Sequence, residues 1–305
     1  MNKMNTLKKS LLIATGIVFS LFNYGYAGDE IKASPVHKQS ALTQQVQKDV
    51  DRKMAKKANG KYSEVTKEAL AAIAETGKAL NALSAKKPDT KAALAALEKS
   101  TGKLELLLVR EPDLALAPID VAVETHDLLV SPEMIKSLIS DARDFLKDGD
   151  IQNARQILNT LVSEIDFNIT SIPLATYPVA TKAAAVLIED GKIEQAKKAL
   201  RAQLDTLVVS KEIIPLPVMR AALLLEKVEA LVENGKRTGD DNKKLTNLLN
   251  EAKTQLKMGE LLGYGKHSDY KKIHKQIKKL EKKIAKDKSG KGWFDSIKKQ
   301  LSDLF

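Results

Sequence analysis

The chain has 305 residues, 50 Lys and Arg against 39 Asp and Glu, a formal net charge of +11 and no cysteine. Disulfides, thiolate metal sites, cysteine nucleophiles and a lipid-modified N-terminal cysteine are therefore excluded, and four histidines leave few imidazoles for catalysis or metal binding. The charge is uneven: residues 28–235 carry 28 basic and 30 acidic side chains, whereas residues 236–305 carry 19 and 9, so the basic character belongs to the C-terminal segment and not to the whole surface.

Lys3, Lys8 and Lys9 precede an apolar stretch from Leu11 to Phe22, and Gly25-Tyr26-Ala27 places small residues where a signal peptidase reads. This is the tripartite pattern of a secretory signal, residues 1–27, with cleavage expected after Ala27. The apolar stretch is too short for a spanning anchor, which needs roughly 20 residues. A soluble periplasmic protein is expected, and export argues against nucleic acid as a partner.

Residues 28–62 are polar and read as a mobile leader or a weakly held first helix. A helical-hairpin domain is expected over residues 63–235. Its first helix opens at Ser63 and carries Leu70, Ile73, Ala74 and Leu80 at helical spacing. A break at Lys86-Lys87-Pro88-Asp89 precedes a second helix with Leu94, Leu97, Leu104 and Leu107.

The middle of the chain repeats at an offset of 42 residues. Ala142 matches Ala184, Asp148-Gly149 matches Asp190-Gly191, Ile151 matches Ile193, Ala154 matches Ala196 and Leu158 matches Leu200. The same offset carries Ile172-Pro173-Leu174 onto Ile214-Pro215-Leu216. Each unit reads as a Pro-led start, a helix, a Gly turn and a second helix, with small Ala154 and Ala196 allowing close approach. Ser131-Pro132-Glu133 is a good helix start for an earlier copy. A binding solenoid of tetratricopeptide type would repeat at 34 residues with an aromatic signature absent here, so a compact bundle is preferred. Between the hairpins, Ile119–Val130, Phe167–Tyr177 and Thr206–Pro217 are rich in Val and Ile and suit short strands or extended linkers. The expected fold is mainly α: repeated helical hairpins packed as a bundle, with room for a few short β-strands, plus a C-terminal helical extension.

In the basic tail, residues 236–305, Tyr270, Ile273, Ile277, Leu280 and Ile284 alternate spacings of three and four, a narrow seam suited to pairing with another helix. After a breaker at residues 287–292, Trp293, Phe294, Ile297, Leu301, Leu304 and Phe305 share one helical face beside Lys298 and Lys299. That face suits an anionic membrane surface, a partner's groove or docking onto the chain's own body.

Chemistry is sparse. On a strand, Asp120, Glu124 and His126 would share one face, where a metal or acid–base site could assemble; an imidazole hydrogen-bonded near a helix end is the preferred reading. HExxH, GxSxG, Walker and GxGxxG patterns are missing from the sequence. The expectation is a non-enzymatic protein with no catalytic, cofactor-binding or metal residues. Asp120, Glu124, His126, Asp127, Asp141, Asp144, Asp148 and Asp150 concentrate acidic charge. Protonation there is one route to a change of assembly state, with self-association left open; a solvated helix face is the plainer reading.

The stretch Leu116-Ala117-Pro118-Ile119-Asp120-Val121, then Leu129-Val130-Ser131-Pro132, the two Asp-Gly hairpins and Leu207-Val208-Val209-Ser210 together resemble the YfdX family of exported enterobacterial helical proteins, over roughly residues 63–235. The resemblance implies a periplasmic protein of heat and acid survival, of the heat-resistance-cluster type, with chaperone-like holding of unfolded or stressed envelope proteins. It carries over no catalytic residues. The tail beyond Gly235 departs from the shorter family pattern.

Overall fold

The computed structural model describes residues 41–60, 63–233, 237–286 and 291–304. The expected signal peptide, Phe305 and residues 287–290 of the breaker lie outside them. Among the described residues the chain forms eleven helices and one three-stranded sheet of order β1-β2-β3. It divides into two compact units. One holds residues 55–123 and 167–212; the other holds 41–54, 124–166 and 213–304, the division falling inside the first helix and inside every strand.

Three strand-plus-hairpin steps organise the chain. Strand β1 (Leu116–His126) leads to α4 (Pro132–Lys147) and α5 (Ile151–Thr160); β2 (Glu164–Pro173) leads to α6 (Tyr177–Glu189) and α7 (Ile193–Leu204); β3 (Val208–Pro215) leads to α8 (Leu216–Glu233) and α9 (Gly239–Leu261). The three β-prone stretches are thus strands. Burial along β1 alternates between neighbours from Ile119 onward, as a half-covered strand requires, while central β2 is buried on both faces at its two ends. The backbone N–H of Leu174 donates to the Ala115 carbonyl at 3.0 Å, and His126 at the far end of β1 lies beside Asp166 near the start of β2. Those two strands therefore run antiparallel.

In the first unit, α2 (Ser63–Ser84) and α3 (Thr90–Arg110) form the expected hairpin. Asp89 caps α3 by accepting from the Ala92 N–H at 2.9 Å. Between the two helices the hydroxyls of Thr76 and Ser100 stand 3.0 Å apart, and both bond the Ala72 carbonyl, which satisfies two buried polar groups where small residues bring the backbones close. Hairpin α2–α3 packs on hairpin α6–α7 through Ala79, Leu83, Ala93, Leu97, Ala184, Ile188, Ala196 and Leu200.

In the second unit, hairpin α4–α5 begins at Ser131, which accepts from the Met134 N–H at 3.3 Å with Pro132 in the first turn. Asp150 caps α5 in the same way. Its turn glycine, Gly149, and the matching Gly191 of α6–α7 have φ of 76° and 72°, the left-handed conformation that a β-carbon opposes. Within the segment read as a mobile leader or a weakly held first helix, residues 41–60 form α1 (Ala41–Gly60), which buries Val46, Val50 and Met54, a seam at spacing four within otherwise polar sequence; residues 28–40, 61 and 62 lie outside the described residues. The tail is not a separable arm at its start, because α9 packs along α8 and buries Leu245, Leu248, Leu249, Ala252 and Leu256.

Candidate functional site

The repeat places equivalent residues of the two hairpins in opposite environments. Ile188 and Leu200 on α6–α7 are 3% and 0% exposed beneath α2–α3. Their counterparts on α4–α5, Leu146 and Leu158, are 51% and 47% exposed, and Ile151 in the turn is 61% exposed. The small inner residues Ala142 and Ala154 are buried as in the other copy, so α4 and α5 hold each other in the same way. Helix α4 also packs against α9, with Ile135, Leu128 and Met258 in a shared cluster. The outer apolar face of α4–α5 keeps the pattern of a covered face and is open to solvent. On α4, Lys147 is paired to Asp144 at 2.7 Å, both exposed.

A polar cluster lies where β1 ends and β2 begins. His126 Nε2 is 3.4 Å from Asp166 Oδ2 and 4.0 Å from Glu124 Oε2. Glu124 and His126 share a face of β1, as a two-residue spacing dictates. The third member is Asp166 of β2, where the sequence had offered Asp120. Asp166 was out of reach of sequence reasoning because strand pairing, and not chain spacing, brings it in. Glu164 accepts a hydrogen bond from the Tyr264 hydroxyl at 2.7 Å, and that oxygen accepts from the Ser163 N–H at 3.0 Å. Burial and the neighbouring Glu164 push the Tyr264 phenol well above its ordinary range.

Arg220 of α8, 1% exposed, donates to Asp127 Oδ1 at 2.9 Å and Oδ2 at 2.6 Å, and through Nε to the Gln47 side chain of α1 at 3.0 Å. This bidentate pair ties α1 and α8 to the residue following β1. A single arginine within the apolar run of α8 was its only signal in the sequence.

The tail's apolar faces turn inward. Tyr270, Ile273, Ile277, Leu280 and Ile284 are the buried residues of α10 (His267–Ile284), which packs on α9. In the last segment Phe294 and, on α11 (Asp295–Ser302), Ile297 and Leu301 are buried against α10 and α8. Lys298 pairs with Glu229 at 2.6 Å, and Lys283 lies 4.6 Å over the Trp293 ring. Trp293 and Leu304 are partly buried. The face expected to meet a membrane or a partner is thus occupied by the chain's own helices in this structure, and Phe305 lies outside the described residues. No helix among those residues is long and apolar enough to cross a membrane.

Fold and surfaces together define a mainly α protein built on repeated strand–hairpin units, with an open apolar hairpin face. Residues 72–213, from within α2 to within β3, match the family described as YfdX protein. A solved structure of YfdX from Salmonella Typhi is similar at 19% identity, covering 49% of this chain and 91% of that one, with a TM-score of 0.33. No curated protein matches the chain.

Proposed function

We propose that this chain is a non-enzymatic, exported stress-tolerance protein that holds partly unfolded envelope proteins during heat or acid stress. The observation that carries the reading is the open face of α4–α5. Leu146, Ile151 and Leu158 keep apolar side chains at positions whose counterparts are covered by a helical hairpin, and a retained, uncovered apolar surface is a place for another chain's apolar segments. Holding needs no catalytic group, only apolar area presented on elements that stay folded while the client does not. The test is light scattering from a heat-labile client protein. Suppression at sub-stoichiometric to equimolar ratios, lost in a Leu146→Asp/Leu158→Asp variant that keeps its helical content, supports the reading. Unchanged aggregation at molar excess defeats it. Export is tested by N-terminal sequencing of the periplasmic protein, which should begin at Gly28.

A second reading, envelope tethering through the tail, is favoured by one feature. Lys271, Lys272, Lys275, Lys278, Lys279 and Lys282 of α10 are all exposed while the seam on the same helix is buried. A basic outer face of this kind is suited to an anionic membrane without any apolar insertion.

A further inference from the structure

We propose that Glu124, His126 and Asp166 bind a divalent first-row transition ion, with Zn²⁺ as the defining case. One ligand atom from each of the three lies within 4.8 Å of the others. An ion held at about 2.0–2.2 Å by nitrogen and oxygen donors in tetrahedral geometry keeps its ligands about 3.4 Å apart. The edge between His126 Nε2 and Asp166 Oδ2 is 3.4 Å, already at that separation. The edge to Glu124 is 4.0 Å, and Glu124 is the exposed member, with 62% of its side chain accessible, so a rotamer change can close it. An imidazole with two carboxylates and no thiolate suits Zn²⁺ and its harder neighbours and disfavours Cu⁺.

The setting is suited to a cation. Asp166, with 3% of its side chain exposed, presents its carboxylate to His126 from the start of β2. Glu164, two residues earlier on the same face of β2, adds a further carboxylate whose position Tyr264 fixes at 2.7 Å. The donors also come from two paired strands, so their spacing is set by backbone that does not depend on the ion. Three protein donors leave a fourth position for water or for a group from another molecule.

The experiment uses the mature full chain, freed of metal with chelator and titrated with ZnCl₂ by calorimetry, with metal counted after desalting. Wild type should retain one Zn²⁺ per chain and melt at a higher temperature when loaded. His126→Ala should lose tenfold or more in affinity and lose the retained ion. His126 is partly exposed, so this change leaves the fold intact. Glu124→Gln should weaken binding less, and His267→Ala, which alters the separate contact of His267 on α10 with Glu260 on α9, should leave it unchanged. Wild type retaining no Zn²⁺, or His126→Ala retaining as much as wild type, overturns the proposal.

Discussion

Arg220 shows how a single polar side chain can organise a packed core. A guanidinium taken out of water is tolerated only with close acceptors, and Asp127 and Gln47 supply them from two other parts of the chain. Asp127→Asn keeps the shape and removes the carboxylate charge that balances the arginine. Breaking such a pair costs about 3–5 kcal/mol, so the denaturation midpoint should fall sharply in urea with little change in slope. A midpoint unchanged within error would mean that the pair is not integral to this core. Titration at single residues sets a pH dependence in the same unit. Burial holds the His274 imidazole below its ordinary range, reinforced by Lys257 and Lys253 and opposed by Glu260. The folded state therefore resists the proton that the unfolded chain accepts near pH 6.5. Stability present above that pH is lost as the pH falls below it. Burial pushes the Glu260 carboxyl up, but Lys257 and His267 outweigh it and hold the group below its ordinary 4.5, so a second loss begins under that pH. Thermal melts from pH 7.5 to 3.5 should show both steps, and His274→Gln should flatten only the upper one.

At the scale of elements, the 42-residue repeat allows one substitution to be read against its own copy. Leu200→Ala removes a side chain buried under α2–α3 and should cost about 2–5 kcal/mol. Leu158→Ala removes the equivalent side chain in the open copy and should stay within about 0.5 kcal/mol. Equal costs, measured by chemical denaturation, would show that the α4–α5 face is covered in solution. The repeat, the α2–α3 hairpin and the three β-prone stretches were legible in the sequence because each is local: Asp89 and Ser131 mark starts, Gly149 and Gly191 mark turns, and Val and Ile crowd the strands. What sequence alone did not reveal is non-local. Matched residues cannot say that Leu200 is covered and Leu158 is not, since that depends on which hairpin lies across each face. Asp166 joined His126 through strand pairing, and α1 was obscured because Val46, Val50 and Met54 are few among polar neighbours although each is well placed.

For the whole molecule, the charge asymmetry and the inward-turned tail bear on one question, whether the C-terminal segment meets lipid by insertion or by charge. Insertion would require Phe294, Ile297 and Leu301 to leave their buried positions. Each such side chain contributes about 1.5–3 kcal/mol, and the Lys298–Glu229 pair would open as well. The lysines of α10 need no such release, and basic residues near an anionic surface contribute about 1 kcal/mol each. The tethering reading therefore predicts binding to phosphatidylserine-containing vesicles that is strong at low salt and lost by about 0.5 M, where the Debye length falls below 5 Å. Replacing Lys271, Lys275, Lys278 and Lys282 with Gln should abolish co-sedimentation while Trp293→Ala preserves it. Salt-resistant binding that depends on Trp293 would instead mean that α11 leaves its dock and inserts. If neither variant changes co-sedimentation and neutral vesicles bind equally well, the basic face has no role in attachment, and its charge serves to keep the lysine-covered helix solvated over its buried seam.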